Sequence, residues 1–402
     1  MGAGAVTRWA RRFVAASALF LVAWQIAALA ATVSGTTSAA AVPRQTRVAL
    51  AVHGFVLHAV FGKAYSLVPS YFDRSLAVPR APAVQFPLTT VGALGLAAGP
   101  LAGVPDLAAG VGAVLWAAGA AVFVAALAWT VRDDPTGRET GTSDANAERR
   151  PVDRAANAFV PVVLAYLLAG AYATAAPSLG LPGFASLGFA RTAHLLAAGA
   201  AALLVFAVGF RLFPRFLVAS PPRALVGVVL PAGAVGPALL AGDLYGGTWF
   251  RAGAALEALA VLGFGAAYAV LFVRSERRRV GFYAVLTGVA AGALGVAVGL
   301  HFAFAGRGFE LIETHFRLNV LGFLGLTIVG ATYQFYPPTV GTFPGASDRT
   351  ALASIALVGA GLVAELGGAL AGAEAVVLVG RASALAGAAL FAGLVVGVFA
   401  ER

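Results

Sequence analysis

The stretch that decides the fold runs from His315 to Pro337 and reads HFRLNVLGFLGLTIVGATYQFYP. It is an apolar span of membrane-crossing length that opens on a histidine and closes on Tyr333-Gln334-Phe335-Tyr336-Pro337. Asn319, Gly322 and Gly330 follow His315 at steps of four, seven and fifteen residues, which return to nearly one helix face. Imidazole, amide and the two glycines therefore share a stripe along which another helix, or a flat cofactor, can approach the backbone. A histidine inside such a span is costly in lipid, which makes it a functional candidate by default. Two other stretches read alike. Arg191-Thr-Ala-His194 opens a span with Gly209 fifteen residues after the histidine and Pro214 beyond it. Arg47 opens another, with Gly62 fifteen residues on and Gly62-Lys-Ala-Tyr65-Ser-Leu-Val-Pro69 mirroring Gly330-Ala-Thr-Tyr333-Gln-Phe-Tyr-Pro337. The chain holds three versions of one helix.

Composition agrees with a membrane setting. Hydrophobic residues make up 60% of the chain and charged ones 11%, and the mean hydropathy is +0.88. These values exclude an ordinary soluble domain and predict an all-α polytopic bundle whose first partner is the lipid bilayer. A net charge of +10 would suggest nucleic acid in a soluble chain. The arginines here cluster in short loops, so membrane topology accounts for them and no nucleic-acid partner is expected. The absence of cysteine excludes disulfides, thiolate metal sites, iron–sulfur clusters and covalent c-type haem attachment. His53, His58, His194, His301 and His315 are the whole imidazole inventory.

Apolar runs between charged or Pro/Gly breaks give twelve spans, at residues 12–33, 47–69, 87–104, 107–131, 155–176, 191–213, 224–242, 251–273, 280–304, 311–337, 350–372 and 375–399. Arg8, Arg11 and Arg12 precede the first run as they would in a secretory signal. Its length of about twenty residues suits an uncleaved helix instead. Residues 132–154 are polar throughout and read as a flexible cytoplasmic loop. The N-terminal arginines, Arg74, Arg80, that loop, Arg215, Arg223, Arg274 to Arg279 and Arg349 fall on one side, which the positive-inside rule makes cytoplasmic. The expectation is a multi-pass protein of the cell membrane with both termini cytoplasmic. Counted in fours, the spans give one membrane domain, 1–402, of three units, about 1–131, 155–273 and 280–400, with the repeated helix second in each. Arg47, His194 and His315 then lie at similar depth near the outer surface. Glu365 and Arg381 are expected to pair across the last hairpin. Glu257 is expected beside Arg251 at the outer interface, or on a proton path. The glycines of span nine (Gly288, Gly292, Gly295, Gly299) read as helix-packing faces.

Twelve spans in three units, with histidines at the outer ends of the sixth and tenth, resemble subunit I of the haem–copper oxidases, a superfamily that includes nitric oxide reductases and NnrS-type proteins. In that family the tenth span carries a His-x-His pair, then a Gly-rich helix with an aromatic-Pro exit. Here the match is His315-Phe316-Arg317, Gly330 and Tyr336-Pro337. The resemblance implies that His315 is the axial ligand of a b-type haem. It puts Arg317, which cannot bind iron, at the second haem's ligand. Arg47 falls at the other ligand of that second haem, with His53-Gly54 nearby resembling the family's His-Gly pair. His194 matches the one copper histidine of span six. The family's two further copper histidines belong on span seven, which has none, so a complete copper centre is not expected.

The reading that follows is a protein binding at most one haem b through His315, with His194 or His53 opposite, for electron transfer or diatomic gas binding. Membrane or respiratory partner subunits would accompany it. Arg47, Arg191 and Arg317 are candidates to hold haem propionates, the alternative being that they snorkel to headgroups. The histidines have an alternative too, as interfacial residues hydrogen-bonded to neighbouring helices. The other function class is a cofactor-free transporter or scaffold subunit that kept the bundle without its metals.

Overall fold

A computed structural model of the chain describes residues 3–34, 42–182, 188–306, 308 and 311–401. The described residues form helices and turns, with no strand. In lipid nothing outside the chain can satisfy backbone polar groups, and a helix satisfies them within its own segment.

Twelve helices are long and apolar enough to cross a membrane. They are span 1 (Val6–Ser34), span 2 (Arg44–Tyr71), span 3 (Ala81–Ala98), span 4 (Leu107–Val131), span 5 (Asp144–Leu179), span 6 (Phe189–Leu217), span 7 (Arg223–Gly242), span 8 (Gly247–Arg274), span 9 (Val280–Phe304), span 10 (Leu311–Val340), span 11 (Asp348–Ala371) and span 12 (Glu374–Ala400). An even number of crossings brings both ends of the described chain to one face, where Arg8, Arg11, Arg12, Arg74, Arg215 and Arg274 also lie. This is the arginine face, and the other is the far face.

Two boundaries differ from the sequence expectation. Span 3 starts at Ala81, because Pro82 suits the first helical turn, and its helix runs through Pro87 and stops before Gly99-Pro100. The polar segment 132–154 is not all loop. Asp144–Arg149 forms a 3-10 turn, and Arg150–Ala158 is helix leading into span 5. Charge partners make this burial possible. Asp153 is 1% exposed and receives Arg215 at 2.7 Å and Arg211 at 3.3 Å, while the Thr142 hydroxyl donates to it. Arg211 also donates to the Tyr71 carbonyl and to Asn157. The network ties the segment to spans 2 and 6 at the arginine face.

Three spans are central. Spans 2, 6 and 10 are 94, 78 and 72% buried over their apolar windows, against 56% or less for the other nine. Those nine form a ring around them in which each packs on its neighbours, span 12 closing on span 1. Each central helix contains an eight-residue π-helical segment, Ala49–Val56, Leu195–Ala202 and Leu318–Gly325. These segments touch one another pairwise. Glycine permits the crowding there: a Cβ at Gly54 would strike Phe20, and one at Gly199 would strike Tyr166. Gly330 likewise lies against the backbone of Gly281 in span 9, the close helix approach expected of its stripe.

Candidate functional site

Between the central helices and spans 7, 8 and 9, toward the far face, lies a cavity of about 330 Å³. His194, His315, Asn319 and Glu257 line it, and Arg44 and Tyr245 contribute to its wall. The rest of the lining is apolar, and much of the span 6 wall is alanine (Ala190, Ala193, Ala197, Ala198, Ala202). Small residues make it a slot between helices, at the lower end of the ~300–1,000 Å³ typical of ligand pockets.

Each histidine is fixed by one hydrogen bond to backbone. His315 Nδ1 lies 2.9 Å from the carbonyl of Gly295 in span 9, nearer than the Asn319 amide nitrogen at 3.4 Å. His194 Nδ1 lies 2.8 Å from the carbonyl of Ala190, one turn back in its own helix. A carbonyl oxygen can only accept, so Nδ1 carries the proton in both neutral rings and Nε2 is left with its lone pair. A backbone acceptor on one ring nitrogen is the usual arrangement for a histidine whose other nitrogen binds a metal. Span 9 is built to receive this ring. A Cβ at Gly299 would come within 3.1 Å of His315 Cε1, and one at Gly295 would strike the Asn319 amide. Asn319 in turn donates to the His315 carbonyl at 2.8 Å. The span 9 glycines therefore serve the histidine as well as helix packing.

Glu257 lies on the cavity wall and not beside Arg251, whose Nε donates to the Ala303 carbonyl. Its Oε1 is buried with no hydrogen-bond partner among the described residues. Gly236 makes room for it, since a Cβ there would sit 2.7 Å from that oxygen.

The other sequence candidates lie elsewhere. His53 is buried 4.6 Å from the Trp116 ring of span 4, with neither ring nitrogen partnered among the described residues, and it does not line the cavity. His58 donates or accepts at Thr90 and faces Phe13, Phe20 and Phe86 of spans 1 and 3. His301 is exposed at the end of span 9. Arg47 pairs with Glu313 at 2.7 Å, joining the far ends of spans 2 and 10. The Arg191 guanidinium lies 5.2 Å from the ring centre of Tyr245.

Arg317 departs furthest from expectation. It is 0% exposed, well inside the bundle, and it faces spans 1 and 11, away from the cavity. Its Nε and Nη2 hold the two oxygens of Glu365 at 2.6 and 2.8 Å, and Nη2 also meets Gln25 at 2.9 Å. Arg381 forms the expected ion pair with Glu365, at 3.6 Å, and also donates to the Ala28 carbonyl and Thr32 in span 1. Bidentate geometry explains the preference for Arg317.

Sequence reasoning did not find Arg44, Tyr245 or the Gly295 carbonyl. A faint signal for the last existed, in the matching steps of four of Gly295/Gly299 on span 9 and His315/Asn319 on span 10.

The donor set bears on what the slot can hold. Among the described residues, no three His, Cys, Asp or Glu side chains gather as a metal site would need. A haem brings four equatorial nitrogens of its own and asks the protein for one or two axial ligands. Two imidazoles in a largely apolar, alanine-walled cavity, their Nε2 atoms without a hydrogen-bond partner among the described residues, match that demand in number and donor type. No family model matches the chain, and no curated protein matches it.

Proposed function

We propose that this chain is a membrane protein of the haem–copper oxidase subunit I type that binds one b-type haem in the far-face cavity. The observation that carries the reading is the pair His315 and His194, each with Nδ1 committed to a backbone carbonyl and Nε2 left free on one shared cavity. The common π segments of spans 2, 6 and 10, and the ring of nine spans around them, support a repeated ancestry of the same kind. The arginine face is then cytoplasmic.

His315 would hold the iron in this reading, oriented by Gly295 and Asn319. His194 would offer a second imidazole from the same cavity. Arg44, at the cavity wall, is placed to meet a carboxylate. Bound there, a haem would supply a redox-active iron, for electron transfer or for binding a diatomic gas. The protein's part is to present imidazole nitrogens, keep the slot apolar and hold an unpaired carboxyl, Glu257, on its wall. The position the family gives to a second haem ligand is taken here by Arg317, already engaged by Glu365 and Gln25.

The test is an absorbance spectrum of the detergent-purified protein from haem-replete cells. A Soret band is expected, lost in His315→Ala with folding and insertion unchanged. His194→Ala should shift the band and His301→Ala should leave it alone. A haem-free wild-type protein would overturn the reading in favour of a cofactor-free transporter or scaffold, and a band indifferent to His315→Ala would overturn the ligand.

A further inference from the structure

A second, smaller cavity of about 90 Å³ lies between the same three central helices, toward the arginine face. Its walls are apolar, formed by Val60, Leu204, Val208, Ile328 and Ala331 with a contribution from Val14 of span 1. It stacks beneath the first. On span 10 the larger cavity reaches Leu324 and the smaller begins at Thr327, three residues on, or ~4.5 Å at the helical rise. On span 6 the corresponding residues are Ala202 and Leu204. The partition falls where the π segments of these two helices end.

The wall of this smaller cavity includes Lys63, the single lysine of a chain that otherwise uses arginine. Its ammonium lies 3.9 Å from the ring centre of Phe335 and 4.0 Å from that of Tyr336. Among the described residues it has no carboxylate partner, so the two rings hold it through their π faces. An ammonium on a flexible stem can swing aside, and two rings release it more readily than a carboxylate would.

The space equals the share of about three liquid waters, but a water needs two to four polar partners and this wall offers few. Cavities of this character stay dry and take small apolar molecules. We infer that the cavity on the axis of the three central helices is a binding site for a small apolar molecule of the diatomic-gas class, capped at the arginine face by Lys63. The inference rests on the cavity alone and stands whether or not the far-face slot holds a haem.

Xenon is the probe. In crystals of the detergent-purified full chain under xenon pressure, an anomalous peak is expected between Val208, Ile328 and Ala331. It should vanish in Ala331→Phe, whose ring fills the space. Ordered water in the cavity, no xenon in the wild type, or a peak that survives Ala331→Phe would overturn the site. The cap is read separately in solution by 129Xe exchange. Lys63→Ala should retain the site and exchange xenon several-fold faster, and an unchanged rate would overturn the role of Lys63. Should Ala331→Phe fail to fold, the wild-type crystal and the Lys63→Ala exchange rate decide the matter.

Discussion

His315 and Arg317 are two residues apart and lead opposite lives. Two positions on a helix differ by about 200°, so one side chain enters the cavity while the other turns toward spans 1 and 11. Sequence spacing contained that divergence, yet the depth of Arg317 was misjudged, since its partner Glu365 is 48 residues away. A buried arginine is tolerable only where its charge is met. Arg317→Ala or Glu365→Ala should each cost about 3–5 kcal/mol, because Glu365→Ala strands Arg317 and Arg317→Ala leaves Glu365 only the 3.6 Å contact of Arg381. The pair Arg317→Met with Glu365→Gln removes both charges and leaves Arg381 an acceptor, so it should cost less than either single change. Unfolding temperatures of the purified variants measure this, and equal losses in all three would mean that the ion pair is incidental.

At the scale of elements, the informative features are the π segments and the helical start of span 5. A π turn holds more than four residues, so a periodicity count made at 3.6 residues per turn drifts across each segment. His53, a candidate because His53-Gly54 resembles the family's His-Gly pair, lies in such a segment and is turned to Trp116. The entry to span 5 was read as flexible because its charges looked impossible to bury, and their partners, Arg211 and Arg215, lie on another span. Asp153→Ala would leave Arg211, 2% exposed, without its carboxylate. It should destabilise this end by about 3–5 kcal/mol, while Asp153→Asn keeps the Thr142 contact and should cost less. Trypsin added to the arginine face checks it: cleavage within residues 138–154 should rise well above wild type in Asp153→Ala, and an unaltered pattern would show that the network does not hold the segment.

For the whole molecule, nine spans around three bury the central helices and put loops at two faces. Cysteines introduced singly into this cysteine-free chain test that topology. Ser143 and Glu276 are exposed at the arginine face and Ser178 is exposed at the far face. Cysteines at the first two should react in intact cells only with membrane-permeant reagents, and one at Ser178 with impermeant ones. Reaction of positions 143 and 178 from the same side would break the order of crossings. Composition and hydrophobic runs determined by themselves that the chain is helical, that it holds twelve helices long and apolar enough to cross a membrane and where most of them begin and end, because lipid demands long apolar helices and little else. The fifteen-residue spacing from Arg47, His194 and His315 picked out the three helices that turn out to be central. Only the tertiary structure decided which face of each helix meets which neighbour. That choice brought His194, His315 and Glu257 to one cavity, sent His53 and Arg317 away from it, and set Lys63 on the wall of a second, largely apolar one. It depends on packing between segments tens to hundreds of residues apart, where a glycine matters only once the side chain opposite it is known.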